Sequence, residues 1–340
     1  MMVGRWPGAT PSTSSACLLA RQPARRARTG VAIPEAKVSV KLGSVGLFSY
    51  QIRFLCPEKL AEVAQVIERL GYSALWLPGG NRVGLFADVR TVIEATTNLV
   101  VATGIVPIFK IPPNDVAVSF RAIEADHPRR LMVGLGVGHR EDVDPELRHE
   151  FDRPRRALER YLDALEGLDG PGQDRLLLGA QGPRMLDLAR ERAAGAHPYN
   201  VTPAHTAAAR DRLGPAPLLA PEQAVVLGDR DSALAIARRS LVAYFARANY
   251  TTSWQRQGFG DEDLLDGGSD ELIEALVACG SVQSAVDRVE AHRRVGADHV
   301  CIQVINDQIA ELRAHWPDLE VSALVEAWTR LSEALGLNVE

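Results

Sequence analysis

Two kinds of apolar pattern alternate along the chain from residue 41 onward. Pro57–Leu70 places its apolar residues at the three- and four-residue spacing of one helix face, and Gly71 ends the run. Leu131–Val137 is instead a nearly continuous apolar run of strand length. Because segments of the two kinds follow one another regularly, the sequence predicts a parallel sheet whose strands are joined by helical crossovers.

Eight strands are predicted, with a helix or a longer helical region after each of the first seven. The strands are Ser44–Phe48, Ala74–Leu77, Leu99–Val106, Leu131–Val137, Arg175–Gly179, Ala196–Tyr199, Glu222–Leu227 and His299–Ile305. The helical segments are Pro57–Leu70, Val89–Ala95, Pro112–Ala125, Pro154–Leu168, Pro183–Ala194, Pro203–Leu213 and Asp231–Gly296, the last interrupted near Tyr250–Gly268. Their number and combined length match an α/β fold, a single (β/α)8 barrel of the TIM type. An open, doubly wound sheet is the alternative.

Three segments of different character divide the chain. Residues 1–40 are rich in Arg, Ala, Ser, Pro and Gly, and they are predicted to be a disordered extension or an over-long start. An organelle transit peptide is the alternative, whereas the lack of an apolar core argues against a secretory signal. Residues 41–306 form the predicted barrel. Residues 307–340 are predicted to be a C-terminal helical appendage, broken at Pro317, that packs outside the barrel.

Composition and charge exclude several classes of function. Hydrophobic residues make up 46% of the 340 residues, as in a globular protein with a full core, and no apolar run reaches the roughly 20 residues of a membrane helix. The net charge is −5, although residues 1–41 contain seven basic residues and one acidic residue, so a nucleic-acid-binding face is not expected. Four scattered cysteines form no metal or disulfide pattern, and a reducing cytoplasm is the expected compartment.

The chemistry of such a barrel is expected at the carboxyl ends of its strands, and one of these ends is a glycine-rich turn that precedes a helix. Its backbone N–H groups and the helix dipole can bind a phosphate, and the adjacent arginine can add a charge-assisted hydrogen bond. A tight turn beside a surface arginine is the alternative. The residues of this turn are Gly179, Ala180, Gln181, Gly182, Pro183 and Arg184.

A second strand end combines glycines with a histidine. Gly134, Gly136 and Gly138 alternate with apolar residues, so the missing side chains would let a flat ring approach the backbone. His139 follows them and is the candidate for proton transfer near neutral pH, with a solvated loop histidine as the alternative. The glycine spacing differs from that of a dinucleotide-binding fingerprint, and no metal-binding or serine-hydrolase motif occurs in the sequence.

Seven short motifs occur in order at successive predicted strand ends. They are Leu75–Pro78, Val101–Ile105, Gly134–His139, Gly179–Leu186, Gly195–Tyr199, Leu219–Val226 and Gly296–Val304. Together they resemble the bacterial luciferase-like flavin and deazaflavin oxidoreductases, in particular the branch that uses the deazaflavin coenzyme F420. The resemblance extends from about residue 43 to residue 305 and so covers most of the chain.

This resemblance implies a barrel whose mouth binds the ring of coenzyme F420, or of FMN in the alternative, with hydride transfer between that ring and a small organic substrate. The turn at 179–184 would bind the cofactor's phosphate. Relatives often have a non-prolyl cis peptide at the end of the third strand, which falls around Gly104–Val106 here. His139 occupies the place of a glutamate proton donor in some relatives that oxidise sugar phosphates. The residues expected to line the ring are Thr103, Gly104, Ile105, Gly136, Val137 and Gly138.

One departure from the family pattern narrows the expected substrate. Relatives that oxidise sugar phosphates have an acidic residue and a histidine after the second strand, where this chain has Gly79 and Gly80. Without that histidine, the resemblance favours a reductase, or an oxidase of a larger and more apolar substrate. An FMN-dependent monooxygenase and a non-catalytic, cofactor-binding barrel are the alternatives. Relatives are commonly dimers, so a homodimer is compatible with the resemblance.

Overall fold

Strands and helices alternate in a computed structural model that describes residues 39–80, 82–307 and 321–337. The strands of this part are β1 (Val45–Phe48), β2 (Ala74–Leu77), β3 (Val100–Thr103), β4 (Val106–Pro107), β5 (Leu131–Gly136), β6 (Leu176–Leu178), β7 (Gly195–Ala196), β8 (Leu218–Leu219), β9 (Glu222–Leu227), β10 (Val277–Gly280) and β11 (Val300–Val304). The α-helices are α1 (Pro57–Arg69), α2 (Leu85–Ala95), α3 (Pro113–Asp126), α4 (Arg148–Phe151), α5 (Pro154–Glu166), α6 (Pro183–Arg192), α7 (Pro203–Leu213), α8 (Arg230–Phe245), α9 (Ala248–Arg256), α10 (Asp270–Leu276), α11 (Val282–Arg294) and α12 (Ser322–Leu335). The extension predicted over residues 1–40 lies almost wholly outside the described residues, as does the predicted break at Pro317.

The sheet is parallel at every described strand pair, and it closes into a barrel. Its order runs from β9 through β11, β1, β2, β3, β5, β6 and β7 to β8. Only Ala220 and Pro221 separate β8 from β9, and this segment bonds to both neighbours: Ala220 N donates to Ala196 O at 2.9 Å, and Cys301 N donates to Pro221 O at 3.0 Å. The segment therefore acts as one bent strand that completes an eight-stranded barrel, which confirms the predicted fold class.

Two predicted elements differ from the structure. The strand predicted over Leu99–Val106 is divided into β3 and β4 by a cis peptide between Gly104 and Ile105. The helical region predicted over Asp231–Gly296 contains a strand, β10, which pairs with β9 in register Val277 to Ala224. The interruption was predicted near Tyr250–Gly268, so the helix predicted over residues 277–280 was wrong, because a four-residue strand is too short to show a period of its own.

The barrel interior is a packed core rather than a channel. Side chains that point inward from alternate strand positions form one buried cluster, as expected for a barrel of this size. It includes Phe48, Trp76, Ala102, Met132, Leu177, Ala220 and Cys301, with Val40 and Leu42 packed among them. The larger core lies between the strands and the surrounding helices, and it includes Leu324, Trp328 and Leu331 of α12. The predicted packing of a C-terminal helix outside the barrel is thereby confirmed.

Helices α8, α9 and α10 pack over one side of the barrel mouth. Ala224, Val226 and Ile305, near the carboxyl ends of β9 and β11, share a buried cluster with Tyr250 and Trp254 of α9. This packing carries polar and aromatic residues of α8 and α9 to the strand ends. No helix in the described part of the chain is long and apolar enough to cross a membrane.

Candidate active site

The end of β3 is shaped by the cis peptide between Gly104 and Ile105, at the position that the resemblance implied. The amide of Gly79 donates to the carbonyl of Ile105 at 3.0 Å, and a Cβ at Gly79 would lie 2.4 Å from Pro107 Cδ. Gly79 therefore cannot carry a side chain without displacing this segment. The segment after β3 therefore fills the space that a side chain at residue 79 would occupy.

The glycines of β5 accommodate the same segment. A Cβ at Gly134 would lie 2.0 Å from the carbonyl oxygen of Thr103, and a Cβ at Gly136 would lie 2.7 Å from Cγ1 of Ile105. The hydroxyl of Thr103 donates to Gly134 O at 2.9 Å and accepts from Gly134 N at 2.8 Å. At these positions the missing side chains make room for the end of β3, and Thr103 fixes the two strand ends together.

Gly104 and Ile105 form a bulge between β3 and β4, and further residues of the two predicted sites lie beside it. A Cβ at Gly179 would be 3.4 Å from Cγ2 of Ile105, so the side chain of Ile105 lies between β5 and β6. Val137 and Gly138 are half-buried and follow β5 directly. Gly138 has a positive φ of 72°, which turns the chain toward His139 and favours glycine.

The glycine-rich turn has the geometry expected of an anion site. Gly182 is the N-cap residue of α6, and Pro183 is its first residue. Ala180 is buried, whereas Gln181 and Gly182 are half-buried, so the N-terminus of α6 is accessible from the mouth. The Gln181 side chain donates to Tyr199 O, which connects this turn to the end of β7. Arg184 is exposed on α6.

A second cation at this turn is not predicted from the sequence. Nη1 of Arg256, the last residue of α9, lies 3.4 Å from the position of a Cβ at Gly182. The positive charge of Arg256 also contributes to lowering the pKa of His205, after the larger effect of burial, so the guanidinium lies near both residues. Arg256 is 74 residues beyond Gly182 in the chain, and no local pattern connects the two. The packing of α9 over the mouth brings them together.

His139 lies at the mouth beside two tyrosines. Its ring centroid is 6.3 Å from that of Tyr244 and 6.0 Å from that of Tyr250. Its Nδ1 is buried and has no hydrogen-bond partner among the described residues. Burial, and next the charge of Arg247, lower the pKa of His139 to about 4. The imidazole is therefore neutral near neutral pH and can accept a proton or a hydrogen bond.

The tyrosines extend the polar lining inward. Tyr244 donates to the hydroxyl of Tyr199 at 3.3 Å, and Tyr199 donates to Oε1 of Gln303 on β11 at 2.9 Å. The ring of Tyr199 is 5.5 Å from that of Phe48, which touches the underside of Gly104. A row of two hydroxyl groups and one amide thus leads from Tyr244, beside His139, to β11.

A buried carboxyl group is a second feature that sequence reasoning missed. Glu222 is 1% exposed, and its Oε2 accepts from the amide of Asn200 at 3.1 Å. Its Oε1 and the Nδ2 of Asn200 have no partner among the described residues. Burial raises the pKa of Glu222 to about 8. The available signal was an acidic residue, followed by Gln223, within the otherwise apolar run Leu218–Leu227.

His197 is buried beneath the cis peptide. Its Nδ1 donates to Ala220 O at 2.8 Å, which leaves the lone pair on Nε2, and its ring stacks on Trp76 at 4.2 Å. Nε2 lies 2.9 Å from the position of a Cβ at Gly104 and has no partner among the described residues. Burial lowers the pKa of His197 to about 4. The ring supports the bulge from below in its neutral form.

Buried polar atoms without a partner collect at this end of the barrel. Seven side chains in the described ranges have such an atom, and five of them follow the carboxyl ends of β5 and β7 or bond to residues beyond the strand ends. Buried donors and acceptors are normally satisfied, so this grouping makes this end of the barrel the candidate site for a polar ligand. The five are His139, His197, Asn200, His205 and Glu222. With the accessible turn at Gly182, they fit a polar ring system that carries a phosphate. No group of three or more potential metal-ligating side chains occurs in the part of the chain that the structure describes.

The fold is a TIM-type barrel whose candidate site lies at the carboxyl ends of the strands, with a bulge on one side and a glycine-rich turn on the other. The family model for luciferase-like monooxygenases matches residues 55–299. The chain therefore belongs to the luciferase-like monooxygenase family, whose members are oxidoreductases and monooxygenases.

Solved structures with this fold include enzymes that use either cofactor. An F420-dependent secondary alcohol dehydrogenase in complex with an F420–acetone adduct is 15% identical, with a TM-score of 0.63 over 88% of this chain and 100% of its own. The coenzyme F420-dependent tetrahydromethanopterin reductase from Methanopyrus kandleri is also 15% identical, with a TM-score of 0.59 over 86% of this chain and 98% of its own. The oxygenating constituent of 3,6-diketocamphane monooxygenase from Pseudomonas putida, solved with FMN, is 14% identical, with a TM-score of 0.56 over 88% and 99% of the two chains. At these identities the likeness shows the fold.

Proposed function

We propose that this protein is an oxidoreductase that binds coenzyme F420 and transfers a hydride between that cofactor and a small organic substrate. The observation that carries the proposal is the pairing of two features at one mouth, namely the bulge whose Ile105 side chain lies between β5 and β6, and the turn at Gly182 with Arg256 beside it. A bulge of this kind offers a surface for a flat ring, and the turn offers donors for a phosphate. A cofactor that carries both groups satisfies both features.

The residues of the chain have separate tasks in this proposal. The backbone at Gly182 and the side chains of Arg184 and Arg256 hold the phosphate, and Ile105 supports the ring. The deazaflavin, when bound, supplies or accepts the hydride. His139 is neutral at neutral pH and accepts the proton that a substrate hydroxyl releases when it is oxidised, or returns it in the reverse direction. Tyr244 and Tyr250 pack around His139 and exclude water from that proton transfer.

An FMN-dependent monooxygenase is the second candidate function. It is supported by the family model, which describes luciferase-like monooxygenases, and by the FMN in one of the similar structures. Such an enzyme would use reduced flavin and oxygen, and the same turn would hold the phosphate of FMN. The two candidates differ in the cofactor and in the consumption of oxygen.

Titration of the purified protein with F420 and with FMN tests the proposal. Each cofactor is followed by its own absorbance and fluorescence, and Gly182→Val serves as a variant with an obstructed turn. Tighter binding of F420 than of FMN, weakened in Gly182→Val, supports the proposal. Tighter binding of FMN, with oxygen consumption by the reduced complex, would replace it by the monooxygenase. Binding of either cofactor without turnover of any alcohol, carbonyl compound or oxygen would favour the non-catalytic barrel.

A further inference from the structure

A second arginine lies at the mouth, on the side opposite to the phosphate turn. Arg247 is the N-cap residue of α9, and Arg256 is the last residue of that helix. At 1.5 Å per residue, the two backbone positions are roughly 14 Å apart. Arg256 lies at Gly182, whereas Arg247 lies at His139, where its charge lowers the pKa of the imidazole. One helix thus holds a cation at each side of the mouth.

The guanidinium of Arg247 lies near His139 and makes few polar contacts within the described residues. Its side chain is 20% exposed, and Cζ stacks over the ring of Tyr244 at 5.2 Å from the centroid. Its Nε is 3.8 Å from Oε2 of Glu141, which is beyond hydrogen-bond distance. The guanidinium makes no hydrogen bond to any residue that the structure describes. A half-buried arginine with five N–H donors and one loose ion pair is suited to an incoming anion.

The charges around His139 indicate how much negative charge the site can accept. Arg247 and Lys110 supply two positive charges, and Glu141 and Asp142 supply two negative charges that also act on the imidazole. Tyr244 and Tyr250 face the same place as neutral phenols, because burial raises the pKa of each hydroxyl. The acidic side chain paired with Arg247 is Glu141, so a ligand that displaces Glu141 from Arg247 needs a single negative charge. A carboxylate fits this requirement better than a phosphate dianion.

We propose that Arg247 binds a carboxylate of the substrate, so that this enzyme acts on an organic monoanion whose reacting carbon lies near His139. The proposal rests on the oxidoreductase function proposed above and names the class of its substrate. A planar guanidinium can bind a carboxylate through two parallel hydrogen bonds, which fixes the direction of the attached carbon chain. Tyr244 and Tyr250 provide apolar ring surface beside it, so a carboxylate on an aromatic or extended apolar group is favoured.

Calorimetric titration with benzoate and with its neutral analogue benzamide tests this proposal, on the protein alone and on the protein loaded with its cofactor. Wild-type protein is expected to bind benzoate more tightly than benzamide. Arg247→Gln should weaken benzoate binding at least tenfold and leave benzamide binding unchanged, with Arg247→Lys between the two. Glu141→Gln should strengthen benzoate binding, because it removes the competing carboxylate. Arg239→Gln, on the exposed face of α8 where Arg239 pairs with Asp307, is the matched control and should change neither.

Cofactor affinity is measured separately in each variant. Unchanged cofactor binding in Arg247→Gln, together with the loss of benzoate binding, supports the proposal. Equal affinity of wild type and Arg247→Gln for benzoate would overturn it, as would benzamide binding as tight as benzoate binding or no binding of either probe. Loss of cofactor binding in Arg247→Gln would also overturn it, since Arg247 would then be a cofactor ligand. If neither cofactor binds the wild-type protein, the proposed function fails, and the titrations without cofactor still decide the role of Arg247.

Discussion

Replacement of Glu222 by glutamine should change how the stability of this protein depends on pH. Glu222 is buried, and the only hydrogen bond of its carboxyl group within the described residues is the one from Asn200 N. No positive charge is among the groups that shift its pKa, so the carboxyl group is neutral in the folded protein at neutral pH. Glutamine retains an acceptor oxygen for Asn200 N and cannot ionise.

The size of the effect follows from the difference in pKa between the folded and unfolded chains. The pKa of Glu222 is about 8 when folded, compared with 4.5 as the ordinary value. Between these values the unfolded chain releases the proton and the folded chain keeps it, so the free energy of unfolding decreases as pH rises. At about 1.4 kcal/mol per pH unit, the full loss between pH 4.5 and pH 8 is up to about 5 kcal/mol.

Chemical denaturation of wild type and Glu222→Gln at several pH values between 5 and 8.5 measures this loss. The difference between the two proteins cancels the titration of all other groups. Glu222→Gln is expected to gain stability relative to wild type as pH rises, most steeply between pH 5 and 8. Glu326→Gln, which removes an exposed carboxylate on α12, is the control and should keep the wild-type profile. A constant difference between Glu222→Gln and wild type over this range would refute the assignment of a neutral, buried carboxyl group.

Three other predictions concern the cofactor site and the histidines. Gly182→Val should weaken cofactor binding at least tenfold, because the new side chain would face Nη1 of Arg256. Arg256→Ala should lose about 1–2 kcal/mol of binding free energy. Fluorescence titration measures both, and normal binding by both variants would show that the phosphate does not bind at this turn. His139→Ala should keep cofactor affinity within about threefold and lower turnover roughly 10²-fold, which is the effect of losing a general acid or base. Unchanged turnover would mean that solvent or a group of the substrate accepts or donates the proton. His197 and His299 have pKa values lowered by burial to about 4, so the stability that depends on them is present above pH 6.5 and is lost toward pH 4. Glu222 acts in the opposite direction above pH 4.5, so the test uses Glu222→Gln. Its denaturation midpoints should decrease from pH 6.5 to 4, and constant midpoints would contradict the prediction.

The sequence determined the parts of this protein that depend on local periods. Helix-period segments alternate with apolar runs, and this alternation alone predicts a parallel barrel, because each pattern favours either a helix or a strand in its own segment. The glycine-rich turn before Pro183 and the position of His139 after β5 were also predictable, since strand ends of a barrel form one face. The role of His139 in catalysis stays a prediction. The strand β10 was missed because its four residues show no period of their own.

Tertiary structure decided which residues meet at the mouth. Arg247 and Arg256 reach His139 and Gly182 only because α8, α9 and α10 fold back over the ends of β9 and β11. Residue 134 has to be glycine because the carbonyl oxygen of Thr103, on a neighbouring strand, occupies the space of a side chain. Contacts between residues distant in the chain leave no periodic signal in either segment. Burial, which sets the protonation of the carboxyl and imidazole groups here, depends on the whole packed barrel and appears only once the chain is folded.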